Sequence, residues 1–325
     1  MFPLSKYPYT APMLIFLSIG LVIAQILLTD VNFLALCVNW IFAGCISFGI
    51  WYVTKRYHLC GLNEGKAFAI SWPILSASMN FSFCYFPRTE QFFMSIVLML
   101  AMILILSLQL NVWQDRQAIG RHILVGLIIG ITSTLLPHTL LWLLLLPVFA
   151  YHMRCWSSRN AFSTLTGTLL GIWFTYCLLF FTDKAIGTAD TIFFSADQML
   201  RNYQTLFHPE FSITLIESFG VWQWLFLGLI ALLVIIYSIA ALLLNAGNSI
   251  RAGASISLIS TLSIFMVVIF LFDIHHLSFY TSLLSLFFCI QLTIHQANVH
   301  TTFNEWWTIF IILAMLTLTA LPLWF

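Results

Sequence analysis

The sequence predicts an all-α fold, a polytopic transmembrane helix bundle of about eleven membrane segments with a cytoplasmic N-terminus. Three observations carry that expectation. Hydrophobic residues make up 61% of the 325-residue chain and charged residues only 7%, a composition far from that of soluble domains. Apolar runs long enough to cross a hydrocarbon core, about 20 residues at roughly 1.5 Å each, recur between charged breaks. Lysine and arginine then sort to one side of the connections, as the positive-inside rule requires.

In chain order the runs fall at 11–28, 33–53, 67–86, 91–111, 122–136, 139–153, 161–182, 219–244, 254–272, 277–294 and 306–324. The first follows Lys6, and its core, Met13 to Leu28, has the look of a signal peptide. No small-x-small cleavage site comes after it, so it is expected to stay as a span. LALC, Leu34 to Cys37, matches a lipobox only loosely, because Leu36 stands where a small residue is needed.

The pair 122–136 and 139–153 contains ITSTLLPHTLLWLLLLP, Ile131 to Pro147. As one helix, His122 to Met153 would be about 48 Å long, with its basic flanks, Arg116 and Arg121 against Arg154 and Arg159, on opposite faces of the membrane. A turn at Leu136-Pro137-His138 returns both flanks to the cytoplasm, and proline ends the helix at the tip. A short hairpin over 122–153 is therefore expected.

This topology puts Lys6, Lys55, Arg56, Lys66, Arg116, Arg121, Arg154, Arg159 and Arg251 inside, and Arg88, Lys184 and Arg201 outside. The connection 295–305 has no lysine or arginine to fix its side. Residues 183–218 form one long outer connection, in which Ile192, Phe193, Ala196, Met199, Leu200, Tyr203, Leu206 and Phe207 recur at helical spacing. They predict a helix that either lies in the outer interface or packs on the bundle. GLIIG (Gly126 to Gly130) and GTLLG (Gly167 to Gly171) are GxxxG motifs, which let helix backbones approach closely and speak of packing rather than chemistry. No linker or long repeat interrupts residues 1–325, which read as a single integral membrane domain.

A net charge of +1 excludes a nucleic-acid partner, which needs a basic field. The seven cysteines include no CxxC pair, and Cys37, Cys45, Cys84, Cys177 and Cys289, lying in apolar runs, read as small core hydrophobes. No cofactor is implied. Every Lys, Arg, Asp and Glu fits in a connection or at a span end, leaving Gln25, Asn39, Asn80, Gln109 and Gln291 as the strongest polar groups at depth. Ion-coupled transport usually keeps an ionisable residue inside the bundle, so this pattern weakens that class.

Chemistry is left to the outer face, where short turns carry Asp30, Arg88 with Glu90, His138, and Asp273, His275 and His276 in DIHH. A carboxylate beside a histidine can act as a general base, and Arg88 or the histidines can hold a phosphate. DIHH lacks the i, i+4 histidine spacing of a helical zinc pair, so no metal is expected. His208, in FHPE, is a further polar candidate. The competing expectation is that each is simply a solvated turn.

KRYHLCGLNEGKAFAIS (Lys55 to Ser71), LVGLIIGITSTLLPHTLLWLLLLPVFAY (Leu124 to Tyr151) and WSSRNAFSTLTGTLLGIWF (Trp156 to Phe174) together resemble an uncharacterised family of bacterial multi-spanning inner-membrane proteins. That resemblance implies the inner membrane but no activity, since the family has none established; short loops, few charges and abundant Phe and Trp suggest an envelope-associated role. More distantly, the order basic turn, glycine-rich half-span, proline tip, leucine-rich half-span, basic turn and GxxxG span is similar to C-type glycosyltransferases. Those enzymes transfer sugars from polyprenyl-phosphate carriers at the outer face. The likeness implies Asp30 as catalytic carboxylate; Arg88, His138, Asp273, His275 and His276, at similar outer depth, are the residues expected to bind carrier and substrate. Two departures stand out: the first outer loop is only Thr29 to Asn32, and His138 occupies the tip where that family frequently has a basic residue.

Three functional classes follow: an accessory envelope protein working with other membrane subunits, a glycosyltransferase-like enzyme, and a transporter or lipid flippase. Membrane lipid is a partner in all three.

Overall fold

The computed structural model describes residues 33–57, 59, 65–85, 89–186, 220–243, 249–272, 277–299 and 302–320, with Phe16, Ile19, Gly20, Ile23, Met199 and Tyr203. Its regular elements are α1 (Phe33–Arg56), α2 (Gly65–Tyr85), α3 (Thr89–Leu110), α4 (Ile119–Leu135), a 3-10 helix (Pro137–Leu145), α5 (Leu146–His152), α6 (Ser158–Ile186), α7 (Val221–Leu243), α8 (Ile250–Phe272), α9 (Leu277–Asn298) and α10 (Thr302–Ala320). No strand occurs among the described residues. The apolar helices mark a membrane protein. Cys37–Arg56, Ser158–Phe181, Val221–Leu243 and Ile250–Phe270 are each long and apolar enough to cross a bilayer, and Met94–Leu110, Ile119–Leu135 and Trp306–Thr319 are shorter apolar helices. Most of the expected run 11–28 lies outside the described residues.

The chain groups into two compact units, residues 1–99 with 213–325 and residues 100–212. At the centre of the first is α9, in which every residue from Tyr280 to Ile294 is buried. A helix enclosed on all sides touches no lipid, so it can carry polar groups provided its neighbours satisfy them. Four of the α9 polar side chains are met in this way. The Ser285 and Ser78 hydroxyls meet at 2.6 Å, and the Cys289 thiol points at the Ser71 carbonyl at 3.8 Å, which sets α9 antiparallel to α2. The Gln291 amide donates to Ser260 and Ser263 at 3.1 and 3.2 Å, and the Phe270 and Tyr280 rings lie 6.5 Å apart, which together set it antiparallel to α8. Gln296 donates to the Asn304 carbonyl at 2.9 Å and to Thr308, closing the turn into α10.

α1 runs antiparallel to α2. The Trp72 indole donates to the Trp40 carbonyl at 3.1 Å with the two rings 4.6 Å apart, and Asn39 donates to Asn80 at 3.3 Å. Phe226 of α7 stacks on Phe81 of α2 at 3.9 Å, so the start of α7 meets the end of α2. These directions bring the C-terminal ends of α1, α7 and α9 together with the N-terminal ends of α2, α8 and α10. The connection 295–305 therefore belongs to the end that carries Lys55, Arg56 and Arg251, although its own sequence has no cation.

Cys289 is buried as the sequence predicts, but Cys45 is exposed on α1, and Cys37 and Cys177 are half-buried. The expectation of a uniform core role for the cysteines is corrected there: an apolar run identifies a membrane segment but not which face turns inward.

In the second unit the two GxxxG motifs pack on each other. A Cβ added at Gly126 would lie 2.0 Å from the Thr164 carbonyl oxygen, and one at Gly130 2.3 Å from that of Thr168. Reciprocally, a Cβ at Gly167 would lie 2.2 Å from the Ile123 oxygen, and one at Gly171 2.6 Å from that of Leu127. Positions rise together along both helices, so α4 and α6 are parallel. The chain between them must return, and it does: the Gln114 amide donates to the Met153 carbonyl at 2.9 Å, joining the two feet of the hairpin.

The return arm differs from the expected half-span. It is a 9-residue 3-10 helix followed by the 7-residue α5, with a proline at the start of each. A 3-10 helix rises about 2.0 Å per residue, so this arm reaches about 28 Å, against about 26 Å for the 17 residues of α4. The tighter, more elongated winding lets a shorter segment match its partner. α5 then ends with Arg154 in the left-handed region at φ 53, Cys155 N–H bonding Ala150 O and Arg154 N–H bonding Tyr151 O. This is the Schellman arrangement that glycine usually closes. The Arg154 guanidinium lies 5.8 Å from the Trp113 ring centroid, a contact glycine lacks.

Two outcomes test this packing. Gly126→Leu is expected to lower stability in detergent by about 3 kcal/mol or more, because backbone atoms block the new side chain, whereas Gly120→Ala, with open space around it, is not. Single cysteines at Asn298 and Lys55 in a cysteine-free background are expected to react with an impermeant maleimide from the same side of sealed vesicles. Labelling from opposite sides would break the assigned helix directions.

Candidate functional site

The hairpin tip is built by local sequence. The residue before a proline avoids the α region, and Leu136 is accordingly extended at φ −132, ψ 101, ending α4 at Leu135. Pro137 then starts the 3-10 helix, where its missing N–H costs nothing. Its neighbour His138 is half-buried between buried Pro137 and Thr139, and Thr139 folds its hydroxyl onto the Leu136 carbonyl at 2.9 Å. The tip is thus a fixed, partly dry position for an imidazole.

Of the sequence-predicted site residues, His138 alone can be placed with its side chain. Asp30, Arg88, Asp273, His275, His276 and His208 lie outside the described residues, as does the side chain of Glu90. Among the described residues, no three His, Cys, Asp or Glu side chains gather as metal ligands would.

A contact that sequence reasoning missed lies one turn below the tip. Ser133 is fully buried and donates to the Gly130 carbonyl at 2.7 Å, so it receives the Tyr203 hydroxyl, 2.8 Å away. Met199, one turn before Tyr203, is buried as well. Burial pushes the Tyr203 phenol up, outweighing the opposite pull of its Ser133 bond, so it remains a neutral donor at ordinary pH. The helical spacing of Met199 and Tyr203 was the available signal, but nothing in the sequence pairs them with Ser133.

A second polar cluster fastens the hairpin foot. Thr164 donates to the Asn160 carbonyl at 3.0 Å, so the His122 Nδ1, 3.4 Å from the Thr164 hydroxyl, is the donor in that pair. Asn160 in turn donates to the Cys155 carbonyl at 3.1 Å. His122 lies one turn before Gly126, so it shares the face of α4 that meets α6, and that spacing could have singled it out. Arg121 reaches the Asn111 carbonyl at 2.6 Å and approaches Asp115 at 3.9 Å, both exposed. Cys155 is fully buried and burial pushes its thiol up, so it stands as a thiol and not as a reactive thiolate. The foot is thus suited to holding helices together rather than to nucleophilic chemistry.

Tyr203→Phe and Ser133→Ala are each expected to cost about 1 kcal/mol in detergent stability, with the double variant costing little more than either. Additive losses in that cycle would mean that the two hydroxyls do not interact. Comparison with family models, with curated proteins and with solved structures finds no match to this chain.

Proposed function

We propose that the protein is a non-catalytic, multi-pass subunit of the bacterial inner membrane, an accessory of envelope assembly that works in complex with other membrane proteins. One observation carries the reading: side chains that would otherwise line a polar site are engaged between helices. Ser78 with Ser285, Gln291 with Ser260 and Ser263, and Gln296 with Asn304 and Thr308 are all buried and mutually bonded. The basic end of the first unit, with Lys55, Arg56 and Arg251, faces the cytoplasm in this reading. Transport is the weakest class. A transport path needs polar groups open to a cavity, and Asn39, Asn80 and Gln109 have no exposed surface.

The second reading, a C-type glycosyltransferase-like enzyme, is favoured by the Tyr203–Ser133 contact. It seats part of the 183–218 connection against the hairpin one turn from His138, as a cover over a carrier site would need. In that reading Asp30 is the base, and Arg88, His138, Asp273, His275 and His276 bind the polyprenyl phosphate and substrate.

Extraction from native membranes in mild detergent, followed by native mass spectrometry, is expected to yield a complex of fixed stoichiometry with another membrane protein. Recovery of this chain alone overturns the accessory reading. Sugar transfer from a polyprenyl-phosphate donor in vesicles, abolished in Asp30→Asn, would establish the enzyme instead.

A further inference from the structure

We propose that the exposed face of α1 is a binding site for an anionic phospholipid, with its phosphate on Lys55 and Arg56 and an acyl chain along Ile41, Cys45, Phe48 and Tyr52. These six residues are all exposed, while Ala43, Ile46, Ser47, Ile50, Val53 and Thr54 between them are buried. At 100° per residue the exposed six fall within one narrow stripe of the helix. From Ile41 to Tyr52 the stripe is about 16 Å long, one leaflet of a hydrocarbon core about 30 Å thick. Lys55 and Arg56 follow within one turn, at headgroup depth.

The cations are held in place. The Lys55 ammonium sits 4.9 Å from the Trp51 ring centroid. The Arg56 guanidinium sits 5.7 Å from the Tyr52 ring centroid and donates to the Tyr52 hydroxyl. That bond uses one of five guanidinium N–H groups, which leaves the planar fork able to take phosphate oxygens. No carboxylate occurs in this turn of the sequence, WYVTKR. The face suits a flexible chain better than a helix: Ile41, Phe48 and Tyr52 are bulky, where a helix partner needs small residues, and a helix would have to cover two cations.

Native mass spectrometry of the full chain, released from nanodiscs holding equal phosphatidylglycerol and phosphatidylcholine, reads this directly. Wild type is expected to retain phosphatidylglycerol about tenfold or more over phosphatidylcholine, since each cation near an anionic headgroup favours it about fivefold. K55Q/R56Q loses the preference and K55R/R56K keeps it. Arg251→Gln, which removes an exposed cation at the same end of the unit but on α8, leaves it unchanged. Equal retention of the two lipids by wild type, an undiminished preference in K55Q/R56Q, or an equal loss in Arg251→Gln overturns the site. A lipid-free dimer whose contact is broken by Phe48→Ala assigns the face to a second copy and overturns it as well.

Discussion

Hydrocarbon gives helices no reason to associate. Lipid tails are as apolar as leucine, so the drive that packs a soluble core is absent, and attraction must come from close backbone approach and from polar groups with nowhere else to bond. Each unit of this protein uses one of these means more heavily. In residues 100–212 the four GxxxG glycines let α4 and α6 touch through their main chains. In the other unit a ladder of serines and glutamines on α9 ties α2, α8 and α10 to a shared centre.

That allocation bears on function. A polar side chain that already bonds a neighbouring helix is a poor ligand for anything else, since freeing it leaves its partner unsatisfied in a dry setting. The bonded serines and glutamines around α9 are thereby committed to holding the first unit together. Features able to meet another molecule lie at its ends and on its lipid-facing surface, such as the cation-bearing end of α1, or at the hairpin tip of the second unit.

The hairpin was legible because two independent constraints agreed: basic flanks that had to share a side, and a proline that had to end a helix. Its 3-10 winding was not, because a run of leucines satisfies a three-residue and a four-residue repeat equally. The central position of α9 was hidden for the opposite reason. Its Ser, Thr and Gln residues lower its hydropathy, yet polar content in a membrane helix marks enclosure by protein. Both GxxxG motifs were plain, but not that each is the other's partner. At the candidate site the sequence singled out His138 through Pro137, whereas Ser133 and Tyr203 are ordinary residues until folding sets them 2.8 Å apart. The end of the first unit to which 295–305 belongs, without a cation of its own, became readable only through the helices packed around it.

The parallel pairing of α4 with α6 also orders assembly in time. During synthesis α4 enters the bilayer with its glycine face uncovered, and the return arm gives it no backbone contact of that closeness. Gly126 and Gly130 find their match only when Gly167 and Gly171 have left the ribosome and α6 has been inserted. Until then the hairpin is held at its feet and exposed along its seam. The interval after the return arm has entered the membrane and before α6 has followed it is the stage at which an insertion factor or a foreign helix with a small-residue face competes best for that seam.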